Sequence, residues 1–177
     1  EFPKKCGHML GRRVIPIQDM VEKIRVAVET RDDPNFQIIA RTDARTTLGL
    51  DEALRRAESY ARAGADVLFV ESPESVEEME KIAKSFDVPL VANMVEGGRT
   101  PVLTFEQLEA IGYGLAIFPA TAFLAAGAAM QSVYQTLLTD KSSTKLTQPL
   151  YDFQDFSKLM GFDWVSQFDQ QCKTSDQ

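Results

Sequence analysis

The most reactive stretch of the chain is Lys4-Lys5-Cys6-Gly7-His8, a thiol flanked by two lysines with the chain's single histidine two positions on. Positive neighbours favour the thiolate, so this spacing suits a cysteine that gives or takes a proton. The same residues also read as a surface loop with an incidental thiol. Zinc ligation is disfavoured, because no second cysteine or histidine stands at ligand spacing. Four further groups end short apolar runs: Arg41-Thr42-Asp43, Glu71-Ser72, Asn93 with Glu96, and Pro119 with Thr121. Four consecutive runs that end in polar residues are stronger evidence for a site than any one residue. Each also has a structural reading, as a salt bridge at Arg41–Asp43, a helix cap at Glu71 or a turn residue at Asn93.

Those residues need elements to hold them. Ile17, Met20, Val21, Ile24 and Val28 recur at helical spacing, and Arg31-Asp32-Asp33-Pro34 predicts the stop. Leu50, Ala53, Leu54, Ala57 and Ala61 predict a second helix closed by Gly64. Ser75 with Glu78, and Thr104 with Gln107, read as capping boxes opening two more. Between them lie Gln37–Thr42, Val67–Glu71, Pro89–Asn93 and Leu115–Phe118. As near-continuous apolar runs, these predict strands buried on both faces and joined in parallel through helices. In such a fold the active-site face lies at the carboxyl ends of the strands, where the polar groups fall.

Residues 1–16 thus form a loop carrying the chemistry, 17–138 the βα units, and 139–177 a polar linker and terminal helices. Phe153, Phe156, Leu159 and Met160, then Trp164, Val165 and Phe168, give those helices apolar stripes that need a surface to cover them. Cys172–Gln177 reads as a frayed end.

Composition narrows the function. Of 177 residues 19 are basic and 26 acidic, a net charge of −7, so binding to nucleic acid or an anionic membrane is not expected. Two cysteines 166 positions apart make no disulfide framework and point to a reducing compartment. The apolar stretch Ala120–Met130 is far short of the ~20 residues of a spanning helix. The opening Glu1-Phe2-Pro3-Lys4-Lys5 is no signal peptide and has no initiator methionine. The expectation is a cytoplasmic protein, with the mitochondrial matrix left open, and a chain that is a fragment.

Lys4-Lys5-Cys6-Gly7-His8-Met9 resembles the signature loop of the isocitrate lyase and phosphoenolpyruvate mutase superfamily. The resemblance runs on through Ala40–Ala44, Phe69-Val70-Glu71, Asn93–Gly98 and Phe118-Pro119, over residues 3 to about 135. It implies an α/β fold, the second half (strands five to eight) of a (β/α)₈ barrel with C-terminal helices. A whole barrel of this type has about 250 residues. It further implies Mg²⁺, with metal ligands upstream of residue 1, a small carboxylate substrate, and a homotetramer formed through the C-terminal helices. By the same resemblance Cys6 is the proton donor, with Arg41 and Glu71 as catalytic partners. Gly7, His8, Asn93 and Thr121 would bind substrate; Asp43 and Cys172 are left without a firm role.

Two features resemble one branch more than another. Pro119–Leu124 puts leucine where methylisocitrate lyases carry arginine, and residues 142–156 contain no arginine for a third carboxylate. Asn93–Gly98 with Thr100-Pro101 and Gly112-Tyr113 is similar to 2-alkylmalate lyases, oxaloacetate hydrolases and carboxyphosphonoenolpyruvate mutases. The expected activity is therefore Mg²⁺-dependent cleavage of a carbon–carbon bond in a 2-alkylmalate-type dicarboxylate or oxaloacetate. P–C bond formation, methylisocitrate cleavage and a catalytically incomplete partner subunit are the alternatives.

Overall fold

The computed structural model describes residues 1–7, 9 and 11–174. His8 and Leu10 lie outside the described residues, so the expected role of His8 has no structural counterpart here. Two compact units emerge, Glu1–Leu124 and Ala125–Gln177.

In the first unit α1 (Ile17–Thr30) buries Val21 and Ile24 and ends four residues before Pro34. β1 (Ile39–Thr42) follows, then α2 (Arg45–Leu48) and α3 (Leu50–Arg62). The single turn of α2 has no periodicity to announce it, and Gly49 at φ 90° separates it from α3. α3 stops as expected: Gly64 takes φ 102°, and a side chain there would meet Val28 of α1. β2 (Val67–Val70), α4 (Val76–Ala83), β3 (Val91–Asn93), α5 (Phe105–Ile111) and β4 (Leu115–Ile117) complete the alternation.

All pairings are parallel. Ile39 stands opposite Val67 and Thr42 opposite Val70; Val91 stands opposite Leu115 and Asn93 opposite Ile117. A bridge between Leu68 and Leu90 links the two pairs into the order β1-β2-β3-β4. This is an α/β fold of parallel strands and covering helices.

Alternation along each strand sorts side chains to two faces. Ala40, Leu68, Val70, Leu90 and Ala92 pack with Ala53, Ala57, Tyr60, Met79, Ile82 and Leu108 of the helices. Ile39, Arg41, Phe69, Glu71, Val91 and Asn93 therefore share the opposite face. The expectation that every strand is covered on both faces fails at β1 and β4. Ile39 is 48% exposed, Leu115 46% and Ile117 37%. Among the described residues the helices cover one side only, so the outer strands keep an open apolar face.

One capping box forms as read and one forms in half. At α5 the Thr104 hydroxyl accepts from Gln107 N–H, and the Gln107 side chain accepts from Thr104 N–H. At α4 the Ser75 hydroxyl accepts from Glu78 N–H, but the Glu78 carboxylate turns to Glu74 N–H and Arg45. A charged guanidinium outcompetes the cap's own backbone N–H.

Asp66 joins α1, β1 and β2. Its Oδ2 accepts from Ile38 N–H at 2.8 Å and from Arg31 Nη1 at 2.5 Å. The Ile38 amide first, then the Arg31 guanidinium, hold this carboxyl below the usual range. A depressed native pKa stabilises the fold above the unfolded value of about 3.9 and is lost as pH falls through the native one. Asp66→Asn should cost about 1 kcal/mol at neutral pH. In urea titrations the gap from the parent should close in acid; a gap independent of pH would remove the carboxylate from this account.

In the second unit α6 (Thr121–Asp140) continues from its first turn in the other unit, followed by α7 (Phe153–Leu159) and α8 (Phe162–Thr174). Asp152 caps α7 by accepting from Gln154 and Asp155 N–H. Trp164 stacks on Phe168, with ring centroids 5.5 Å apart, yet Phe153, Leu159, Phe162 and Trp164 stay mostly exposed. Cys172 lies inside α8, which runs to Thr174, rather than in a frayed tail. Among the described residues no helix is long and apolar enough to cross a membrane.

Candidate active site

Glu71 follows the last residue of β2, and its period places the carboxylate on the face away from the helices. It is fully buried. A buried carboxylate must be paired and hydrogen-bonded, and Arg41, Asn93 and Ser72 are among the neighbours that meet that need. Arg41 of β1 lies with Nη2 2.9 Å from Oε2. Asn93 of β3 donates from Nδ2 to the same oxygen at 3.2 Å. The Ser72 hydroxyl lies 3.0 Å from Oε1. Asn93 falls level with Glu71 on the neighbouring strand, whereas Arg41 stands opposite Phe69, two residues short of Glu71 on the same face, and spans that offset with its long side chain.

The N-terminal loop closes on this point through Gly7. Gly7 is buried, and its carbonyl accepts from the Ser72 hydroxyl at 3.0 Å. A Cβ at Gly7 would stand 2.7 Å from Arg41 Nη2 and 2.9 Å from Glu71 Cδ. Only glycine lets the backbone come this close. Cys6 sits beside it, exposed, with its carbonyl accepting from Met9 N–H. The two lysines that suggested an activated thiol have other partners. Lys5 donates to Gly11 C=O at 3.1 Å, and Lys4 lies 3.8 Å from Asp43.

Arg41 is held from a second side. Its Nε donates to Asp43 Oδ1 at 2.7 Å, and the guanidinium lies over the Phe69 ring, 4.8 Å from the centroid. Asp43 in turn faces Arg12, whose Nη1 is 3.6 Å away and whose Nη2 bonds Thr46. Arg12 is buried. Asp43, doubtful from sequence, is therefore the group that orients Arg41. Arg41 remains partly open to solvent, on the wall of a cavity of about 650 Å³ that Lys4, Lys5, Arg12 and Arg13 also line. A cationic wall of this kind suits a small carboxylate.

Thr121 stands apart from that cluster in its bonding. Its hydroxyl donates to Glu96 Oε1 at 2.6 Å and, as the largest cause, holds that carboxyl below the usual range. Sequence reading also missed a clasp across three successive loops. Arg45 pairs with Glu74 and Glu78, and Arg99 pairs with Glu74 at 2.8 Å. The Glu78 hydrogen bond is the largest cause raising the Arg45 guanidinium above its ordinary value. Among the described residues no three His, Cys, Asp or Glu side chains converge on a metal position.

A family model described as phosphoenolpyruvate phosphomutase matches residues 5–138. A 2,3-dimethylmalate lyase of Eubacterium barkeri is 45% identical over 173 residues, covering 98% of this chain and 60% of that protein. A crystal structure of a 2,3-dimethylmalate lyase superposes with a TM-score of 0.85 at 31% identity, over 96% of this chain and 56% of that one. A phosphonopyruvate hydrolase solved with oxalate and Mg²⁺ gives a TM-score of 0.79 at 27% identity, over 96% and 59%. The chain spans about half to three-fifths of the length of the curated relatives it matches.

Proposed function

Because this chain belongs to the phosphoenolpyruvate mutase and isocitrate lyase superfamily, we propose that its protein is a carbon–carbon lyase acting on a 2-alkylmalate-type dicarboxylate, with oxaloacetate as the close variant. The observation that carries this reading is the convergence of Gly7, Arg41, Glu71 and Asn93 at the carboxyl ends of adjacent strands. The likeness to 2,3-dimethylmalate lyase and the leucine at position 124 support the substrate class. In the same proposal the chain is the second half of a (β/α)₈ barrel, strands five to eight. Its span relative to its relatives and the open faces of β1 and β4 support that.

In the proposed reaction Arg41 grips a substrate carboxylate, and the Gly7 backbone and Asn93 orient it. As the carbon–carbon bond breaks, its electron pair stays on the carbon next to one carboxylate, and the Cys6 thiol supplies the proton that carbon needs. The hydroxyl on the other carbon gives its O–H proton to the glutamate network, and that carbon leaves as the carbonyl of an oxo acid. The named structure of a hydrolase relative with Mg²⁺ supports metal dependence. The residues described here do not fit such a metal themselves. A hard divalent cation needs several free oxygen ligands, and the Glu71 and Asp43 carboxylates both face Arg41. Any Mg²⁺ ligands belong, in this proposal, to a part of the whole protein outside these 177 residues.

The decisive experiment assays the whole protein with 2,3-dimethylmalate, oxaloacetate and 2-methylisocitrate, with Mg²⁺ and with chelator. Turnover of the first, lost on chelation, is expected. Preference for 2-methylisocitrate would overturn the substrate class, and turnover indifferent to chelator would overturn the metal dependence.

The proposal extends to a cytoplasmic homotetramer assembled through α7 and α8, whose apolar side chains are exposed in the isolated chain. Deleting residues 150–177 should reduce the number of subunits measured by light scattering. An unchanged subunit number would rule out that role.

A further inference from the structure

Ser72 is the one residue near Glu71 whose backbone is in a conformation that side chains avoid. Its φ is 59°, and besides glycines only Lys141 shares a positive φ among the described residues. A left-handed serine persists only where the surroundings impose it, and such outliers gather at functional sites. Here the conformation has a visible product. It turns the hydroxyl, buried with the rest of Ser72, toward both the Gly7 carbonyl and Glu71 Oε1, each at 3.0 Å. These two acceptors belong to segments 64 positions apart.

We propose that Ser72 is a positioning residue that fastens the Cys6–Gly7 loop over the buried Glu71 carboxylate. The hydroxyl has a single proton, shared between the two acceptors, so loop and carboxylate are joined through one atom. Arg41 packs closely against Gly7, but of Arg41, Asn93 and Ser72 it is Ser72 whose hydroxyl also bonds the loop backbone. Its neighbours Pro73 and Glu74 cannot substitute: proline has no N–H, and Glu74 is committed to Arg45 and Arg99. The catalytic consequence, a Cys6 held where it can meet substrate, rests on the lyase reading above. The fastening does not.

The test separates the two. Hydrogen exchange measured by mass spectrometry on the whole protein compares residues 4–13 with residues 76–83 of α4. In Ser72→Ala the loop should exchange about tenfold faster, the loss of roughly one buried hydrogen bond, while α4 is unchanged. Ser72→Gly removes the same hydroxyl but also the backbone strain. It should show the same loop acceleration with a higher melting temperature than the alanine variant, so a folding defect cannot produce the result. Unchanged loop exchange in both variants, or equal acceleration in loop and helix, overturns the fastening. In the whole enzyme Ser72→Gly should lower kcat with KM nearly constant. Loop acceleration in a protein without lyase activity would leave the fastening standing and remove the lyase reading instead.

Discussion

Arg41→Met should destabilise the chain by about 3 kcal/mol, the range found when a buried ion pair loses one partner. The magnitude follows from an asymmetry of burial. Glu71 is completely shielded from water, whereas the Arg41 side chain is 28% exposed. Removing the cation takes a charged partner from an anion that water cannot reach; removing the anion leaves a cation that water can still solvate. Ser72 and Asn93 continue to donate to the carboxylate and soften the loss, while Asp43 keeps Lys4 and Arg12. Glu71→Gln alone should therefore cost less, on the order of 1 kcal/mol. The double variant should be markedly more stable than the sum of the two single losses predicts, with a coupling energy of about 2 kcal/mol. Urea unfolding of the four proteins completes the cycle. Additive losses would show that the pair is an incidental contact and not the electrostatic keystone of the strand ends.

What could be read before folding, and what could not, follows from the range of each interaction. Helices α1, α3 and α5 announce themselves because apolar spacing, Pro34, Gly64 and the Thr104–Gln107 pair are local signals. The strand-end rule brings Arg41, Glu71 and Asn93 to one edge, since period-two alternation puts all three on one face and the long Arg41 side chain spans the two-residue offset to Glu71. Residues tied only through tertiary structure gave no signal. The Arg41–Asp43 salt bridge is legible as a local pair, but the contact of Asp43 with Arg12, 31 positions earlier, is not; the clasp needs Arg45 of α2 with Glu74 and Arg99 of two loops; and the left-handed backbone of Ser72 accompanies a hydrogen bond to Gly7, 65 positions earlier. The same limit misplaces Glu78, whose local cap yields to an arginine 33 positions away. The both-faces burial of the strands misleads for another reason. An apolar run reports a strand's preference for cover, and β1 and β4 find it on one side only among the described residues.

Within the proposed reaction Cys6→Ser should lower kcat of the whole enzyme by about 10²–10⁴-fold, the contribution typical of a positioned acid or base. Serine matches cysteine closely in size, so the Gly7 backbone keeps its approach to Arg41 and Glu71 and KM should change little. Its hydroxyl is a far weaker acid than a thiol, so the loss falls on proton delivery. The structure adds a control within the same chain, because Cys6 and Cys172 are both free and exposed. Iodoacetamide should reach both, but a bound dicarboxylate analogue should slow modification of Cys6 alone, since its sequence neighbour Lys5 lines the cavity with Arg41 and Cys172 belongs to α8. An incidental loop thiol predicts near-normal turnover in Cys6→Ser and equal alkylation of the two cysteines with or without the analogue. The combination of lost kcat, retained KM and selective protection would assign the proton to Cys6. Protection without loss of kcat would make it a bystander at the rim of the site.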